Sequence, residues 1–125
     1  MTKSTTIYGI KNCDTMKKAR AWLDSHDVRY EFYDYKTAGI EASVLARWCV
    51  EVGWETLLNR AGTTFRKLPE AQKADLNERK AISLMLRQPS MIKRPVLQLG
   101  KRLLVGFKPD VYAQAVDPNW EASRR

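Results

Sequence analysis

The spacing of apolar positions along the chain changes period several times, and each change predicts an element. Thr5-Thr6-Ile7-Tyr8-Gly9 is β-branched and aromatic and closes on glycine, which predicts a first strand. Met16, Ala19, Trp22 and Leu23 then recur at helical spacing, behind Asp14 and Thr15, two residue types that favour a helix start. Val28 to Asp34 alternates again and is rich in aromatics, predicting a second strand. In the middle, Leu45, Trp48, Cys49 and Val52 share one face of a helix that Gly53 ends. A shorter segment holds Leu57-Leu58, followed by a turn at Ala61-Gly62-Thr63. A further helix is expected from Asn77 to Arg87, with Ile82, Met85 and Leu86 on its buried stripe and Pro89 just past its end. Val96-Leu97-Gln98-Leu99, Gly100-Lys101 and Arg102-Leu103-Leu104-Val105 read as a hairpin with a glycine-containing turn. Pro109 to Val116 suits a closing helix with proline in its first turn.

Strand, helix and strand within about 30 residues form a βαβ unit, whose two strands run parallel. The order βαβ, helices, ββα is that of an α/β domain of thioredoxin-like (glutaredoxin-like) type, a mixed sheet carrying a helical insertion. A single domain is expected over residues 1–116, with the insertion at about 40–90 and a loose polar tail over 117–125. The sequence shows no repeats and no interdomain linker.

Composition sets the class. A chain of 125 residues with 44% hydrophobic and 29% charged residues is globular rather than disordered. No apolar run approaches the ~18 residues of a membrane-spanning helix. The apolar stretch after the first few residues is too brief for a signal-peptide core, so no export signal is read and a cytoplasmic setting is expected. In a reducing compartment the two cysteines are either core or working thiols, not a structural disulfide. The formal charge of +8 fits nucleic acid or a small anionic substrate. The basic residues are scattered pairs such as Lys17-Lys18, Arg66-Lys67 and Lys101-Arg102, without interleaved aromatics, which disfavours nucleic acid.

The chemistry-bearing candidates are few. Cys13 lies between the end of the first strand and the start of the first helix. There, free backbone N–H groups and the positive end of the helix dipole favour thiolate, the nucleophilic form. Lys11 adds a positive charge that Asp14 partly opposes. A half-buried loop residue is the bland alternative; the environment favours the nucleophile. Cys49 shares a stripe with Leu45, Trp48 and Val52 and reads as core. Met16 stands three residues after Cys13, so there is no internal CxxC exchange, and Cys13 must be helped by an outside thiol. In Lys93-Arg94-Pro95 the proline could form a cis peptide or simply begin a strand, and the residues leave both readings open. Arg60 and Lys108 are each solvated charges alone; with Arg94 they would make a cluster for an anionic substrate. His26, the only histidine, reads as a cap or surface residue, and no metal site is expected.

These residues carry a resemblance. The stretch from Ile7 to Ala19, which reads Ile-Tyr-Gly-Ile-Lys-Asn-Cys-Asp-Thr-Met-Lys-Lys-Ala, resembles the opening of the arsenate-reductase-like family and specifically its YffB-type branch. Leu58 to Leu68, Ile92-Lys93-Arg94-Pro95-Val96 and Leu104-Val105-Gly106-Phe107 are similar to that branch as well. The resemblance covers about residues 5 to 116 and implies a thioredoxin-like fold with one reactive cysteine, Cys13, and a cis-proline, Pro95. It also implies three oxyanion-holding arginines: Arg94 matches one, Asn59 or Arg60 falls at the second, and Lys108 stands at the third. Gly9 stands where those reductases carry a histidine. The expected function is a glutathione-dependent thiol reductase. Cys13 would be catalytic; Lys11, Asn12, Arg60, Arg94, Pro95 and Lys108 would bind substrate or glutathione. No tightly bound cofactor is expected; glutathione is the co-substrate, and glutaredoxin a further candidate partner. The alternatives are arsenate reduction, or a non-enzymatic Spx-type regulator binding RNA polymerase, although Met16 removes the cysteine pair through which Spx-type regulators sense oxidation.

Overall fold

The computed structural model describes residues 5–116. The tail expected over 117–125 lies outside the described residues. In chain order the elements are β1 (Thr5–Gly9), α1 (Asp14–Ser25), β2 (Glu31–Asp34), α2 (Tyr35–Ala38), α3 (Ala42–Val52), α4 (Trp54–Leu57), α5 (Thr63–Arg66), α6 (Glu70–Lys73), α7 (Glu78–Arg87), a 3₁₀ turn (Pro89–Met91), β3 (Val96–Leu99), β4 (Arg102–Val105) and α8 (Pro109–Val116). They form two compact units, one from the segments up to Asp34 and from Arg94 onward, the other Tyr35–Lys93. Among the described residues no helix is long and apolar enough to cross a membrane.

The first unit is built on a four-stranded sheet of order β2-β1-β3-β4. β1 pairs parallel with β2 and antiparallel with β3, and β3 continues antiparallel to β4. This is the mixed thioredoxin-like sheet the sequence predicts. Thr5, Ile7 and Gly9 alternate inward along β1. The register sets Ile7 beside Phe32 on one side and Leu97 on the other. Met16, Ala19 and Leu23, spaced three and four apart, turn one face of α1 onto this surface. With Ile7, Leu97 and Tyr112 of α8 they close a fully buried cluster, and Cys13, Trp22, Phe32 and Phe107 pack against its margin. The rings of Trp22 and Phe107 meet Tyr112 edge to face.

The second strand is shorter than its alternation suggests. It begins at Glu31, not Val28, because α1 ends in a cap that consumes the intervening residues. Asp27 turns left-handed (φ 56°), and the N–H of Val28 reaches back to Leu23 O at 3.0 Å while that of Asp27 reaches Asp24 O at 3.2 Å. His26 stands at the C-terminal cap of α1, exposed and stacked on Trp22.

In the second unit, α3 buries Leu45, Trp48 and Cys49 and stops at Gly53, whose φ of 86° few other residues adopt. Asn77 caps α7, its side-chain oxygen accepting from the Lys80 N–H at 2.9 Å. The buried stripe of α7 is Ala81, Leu84 and Met85 rather than the expected Ile82, Met85 and Leu86; Leu86 is exposed. α3, α4 and the 3₁₀ turn all pack on that side. The single-turn helices α2, α5 and α6 escape sequence reading because four residues cannot display a helical period. Lys93 N–H to Leu57 O and Asn59 N–H to Met91 O, both 2.7 Å, clasp the segment before Arg60 to the segment before Arg94.

Leu97 is fully buried at the centre of the first unit's cluster. Leu97→Ala should therefore cost about 2–5 kcal/mol. Denaturant unfolding would show the midpoint falling with the slope unchanged.

Candidate active site around Cys13

β1 delivers the chain to Gly9, and the three residues Ile10, Lys11 and Asn12 turn it into α1. The turn is tied to the sheet by the Lys11 backbone N–H, which donates to the Asp34 carboxylate at 3.2 Å. Asp34 is the register partner of Gly9 in the parallel pair, so the tie spans the end of the sheet. Cys13 follows in extended backbone (φ −119°, ψ 129°) as the N-cap of α1, and its carbonyl accepts from Lys17 N–H at 3.0 Å. A serine or aspartate in this place would accept from the second and third helical N–H groups, here those of Thr15 and Met16. The thiol makes no cap hydrogen bond. The same two donors serve the sulfur once it is ionised.

Arg94 reaches the site through strand register. Tyr8 pairs with Val96 in the antiparallel β1–β3 ladder, so the chain just before β3 runs past the end of β1 toward the loop that bears Cys13. The Arg94–Pro95 peptide is cis. Pro95 is buried, and its carbonyl accepts from Gly106 N–H at 2.8 Å, which fastens this segment to the end of β4.

Burial and hydrogen bonding compete over the state of the sulfur. Partial burial is the largest single influence on Cys13 and pushes its thiol up. It is outweighed by the Met16 N–H, the Arg94 guanidinium acting as donor and as charge, and the Thr15 N–H, so the net direction is down. Cys49 shows the opposite balance. Burial, with the negative charges of Glu78 and Glu55, pushes its thiol up to about 11. Cys49 is an inert core group, as its stripe predicts.

The structure thus brings Cys13, Arg94 and Pro95 together. The cation acting on the sulfur is Arg94; the Lys11 side chain is exposed, and Lys11 enters the site through its main chain. Asn12 is exposed in the turn beside Cys13. Lys108 is exposed at the N-terminal edge of α8, where its carbonyl accepts from Tyr112 N–H at 3.0 Å. Arg60 belongs to the second unit, its guanidinium 5.6 Å from the centre of the Trp54 ring. Sequence reasoning missed Asp34. The signal was present: a carboxylate at the end of the strand parallel to β1 lies beside the loop that leaves β1.

The ArsC family matches residues 8–115. Among solved structures the chain is similar to a YffB protein, 71% identical with a TM-score of 0.88, over 90% of this chain and 98% of that one. It is also similar to an arsenate reductase (ArsC)-related protein from Brucella melitensis, 57% identical with a TM-score of 0.73, over 91% and 95%. In sequence it is 38% identical over 110 residues to an uncharacterized protein of Haemophilus influenzae, covering 88% of this chain and 96% of the relative. It is 29% identical over 107 residues to the global transcriptional regulator Spx of Streptococcus mutans, covering 84% and 77%.

Arg94→Ala removes both a donor and a positive charge from the thiolate, so the Cys13 titration should move upward, toward the ~8.5 of a free cysteine. Ultraviolet thiolate absorbance against pH, read with Cys49→Ser as background, checks this. Below the midpoint, alkylation should slow by about tenfold for each unit of upward movement.

Proposed function

This chain belongs to the ArsC family, and from that premise we propose that it is a glutathione-dependent thiol reductase with Cys13 as its only working thiol. The observation that carries the reading is the set of three donors, two backbone N–H groups and the Arg94 guanidinium, that favours an ionised Cys13. The Cys13 thiolate attacks the glutathione sulfur of a mixed disulfide, forming a Cys13–glutathione disulfide and releasing the substrate as its thiolate. A second glutathione thiolate attacks the bound glutathione sulfur, giving oxidised glutathione and returning Cys13 as thiolate. The disulfide linkage passes from substrate to glutathione: the substrate sulfur gains one electron, the sulfur of the second glutathione loses one, and the first glutathione stays at the disulfide level throughout. Glutaredoxin would fill the second role where it replaces glutathione. In this reading Arg94 and Lys108 take the anionic groups of glutathione or substrate. Lys11 and Asn12 frame the cysteine, Pro95 shapes the groove beside it, and the setting is cytoplasmic.

Arsenate is the second reading. Guanidinium groups bind oxyanions in a forked geometry, and Arg94 acts on the Cys13 sulfur. Lys108, a point charge without the fork, weighs against it. Glutathione-coupled loss of arsenate that disappears with Arg94→Ala would favour this reading over disulfide reduction.

Intact mass after exposure to oxidised glutathione across a pH series tests the main proposal. One glutathione should add to the parent and to Cys49→Ser, well below the ~8.5 of a free cysteine, and none to Cys13→Ser. Equal adduct on Cys13→Ser and the parent overturns the assignment.

A further inference from the structure

Gly9 is the last residue of β1, on the strand face that carries Ile7 toward α1. A methyl group built on Gly9 would lie 2.2 Å from the Met16 Sδ, 2.6 Å from its Cε and 3.0 Å from its Cγ. The first two are shorter than real carbon or sulfur contacts and the third is tighter than most, so the thioether of Met16 occupies the space where a side chain at position 9 would be. A thioether is flexible and could usually yield, but this one cannot do so freely. Met16 is 1% exposed and closed in by the same cluster as Ile7, Ala19, Leu23, Leu97 and Tyr112. Packing at this density transmits a displacement rather than absorbing it.

Met16 is also the third residue of α1, and its own backbone N–H is one of the groups that favour the ionised form of the Cys13 sulfur. The side chain that fills the hollow over Gly9 and the N–H that serves the cysteine share one Cα. Shifting the side chain to admit a methyl therefore moves the donor, and hydrogen bonds to an anion weaken steeply with misalignment.

We propose that Gly9 and Met16 act together as positioning residues for Cys13: the bare backbone of Gly9 forms the seat for the Met16 side chain, and that seat fixes where α1 begins beneath the sulfur. Neither residue touches the reacting atoms through its side chain. The inference rests on the reading of Cys13 as the reacting thiol but not on glutathione as its partner. It assigns Met16 a positive role at the place where a second cysteine would stand in a two-thiol enzyme.

The test is the pH dependence of Cys13 alkylation by iodoacetamide, followed by peptide mass in the parent, Gly9→Ala, Met16→Ala and the double variant. Thermal unfolding is recorded for each. Gly9→Ala should raise the alkylation midpoint and slow the reaction below it by roughly three- to tenfold, because the thiolate fraction falls. Met16→Ala should raise the midpoint by less. The double variant, in which the new methyl enters space the thioether has left, should recover at least half of the Gly9→Ala loss, a coupling that independent sites do not show. A merely structural role would lower unfolding temperatures and leave the midpoint alone. A folded Gly9→Ala protein with the parent's midpoint overturns the proposal, as does a double variant no closer to the parent than Gly9→Ala. Should Gly9→Ala alone not fold, Met16→Ala decides: a folded protein with an unmoved midpoint overturns it. A parent that alkylates at low pH yet takes up no glutathione would refute the glutathione reading and leave this one standing.

Discussion

The first unit depends on the double pairing of a five-residue strand. β1 is laddered to β2 on one edge and to β3 on the other, so its backbone groups are committed in both directions. Its inward residues form the surface on which α1 and α8 close. A strand held on both edges and pressed by helices cannot slide by one residue without turning Ile7 out of the cluster. Whatever leaves its end is therefore placed as firmly as the sheet itself. Gly9 ends the strand, and Cys13 is only four residues further along the chain.

Three separate stretches then converge on one sulfur by different physical routes. The helix start arrives through packing, with Met16 buried under Gly9. The turn between them is held electrostatically, by the Asp34 carboxylate on the Lys11 N–H. Arg94 comes by strand register, from the segment that leads into β3. The sulfur is partly withdrawn from water, which on its own would keep it protonated, and the convergence reverses that. Cys49 is the internal control. The same side chain, buried with two carboxylates for company, is pushed the other way.

Much of this was legible in the sequence, and the reasons for the gaps are physical. Elements with several periods of their own, such as α1, α3 and the β3–β4 hairpin, announce themselves, with Gly53 marking the end of α3 and Pro109 the start of α8. The family resemblance supplied the pairing of Cys13 with Arg94 across a separation of 81 positions, which no local pattern carries. Three kinds of information were not local. The first is phase on a helix whose apolar residues crowd adjacent positions: α7 buries Ala81 and Leu84 because its neighbours lie on that side. The second is a cap that overrides propensity, as where Val28 finishes α1 instead of beginning β2. The third is main-chain chemistry. Lys11 was expected to matter through its ammonium group, and the structure uses its peptide N–H.

A lone thiol with a lowered pKa has a particular chemical logic. Lower basicity makes more thiolate available but makes each thiolate a weaker nucleophile, so activation for attack is partly self-cancelling. Leaving-group ability does not suffer this trade. In a mixed disulfide on Cys13, the donors that stabilise its thiolate also stabilise it as it departs, when an outside thiol attacks the other sulfur. Met16 stands where an internal resolving cysteine would be, and Cys49 is buried and held protonated, so on the proposed reading resolution falls to a thiol from solution. For such an enzyme the site should favour release over capture, and a partly buried sulfur under two N–H groups and a guanidinium meets that requirement. On that reading the thioether of Met16 is not a passive replacement: it keeps the donors in place for a thiolate that must depart.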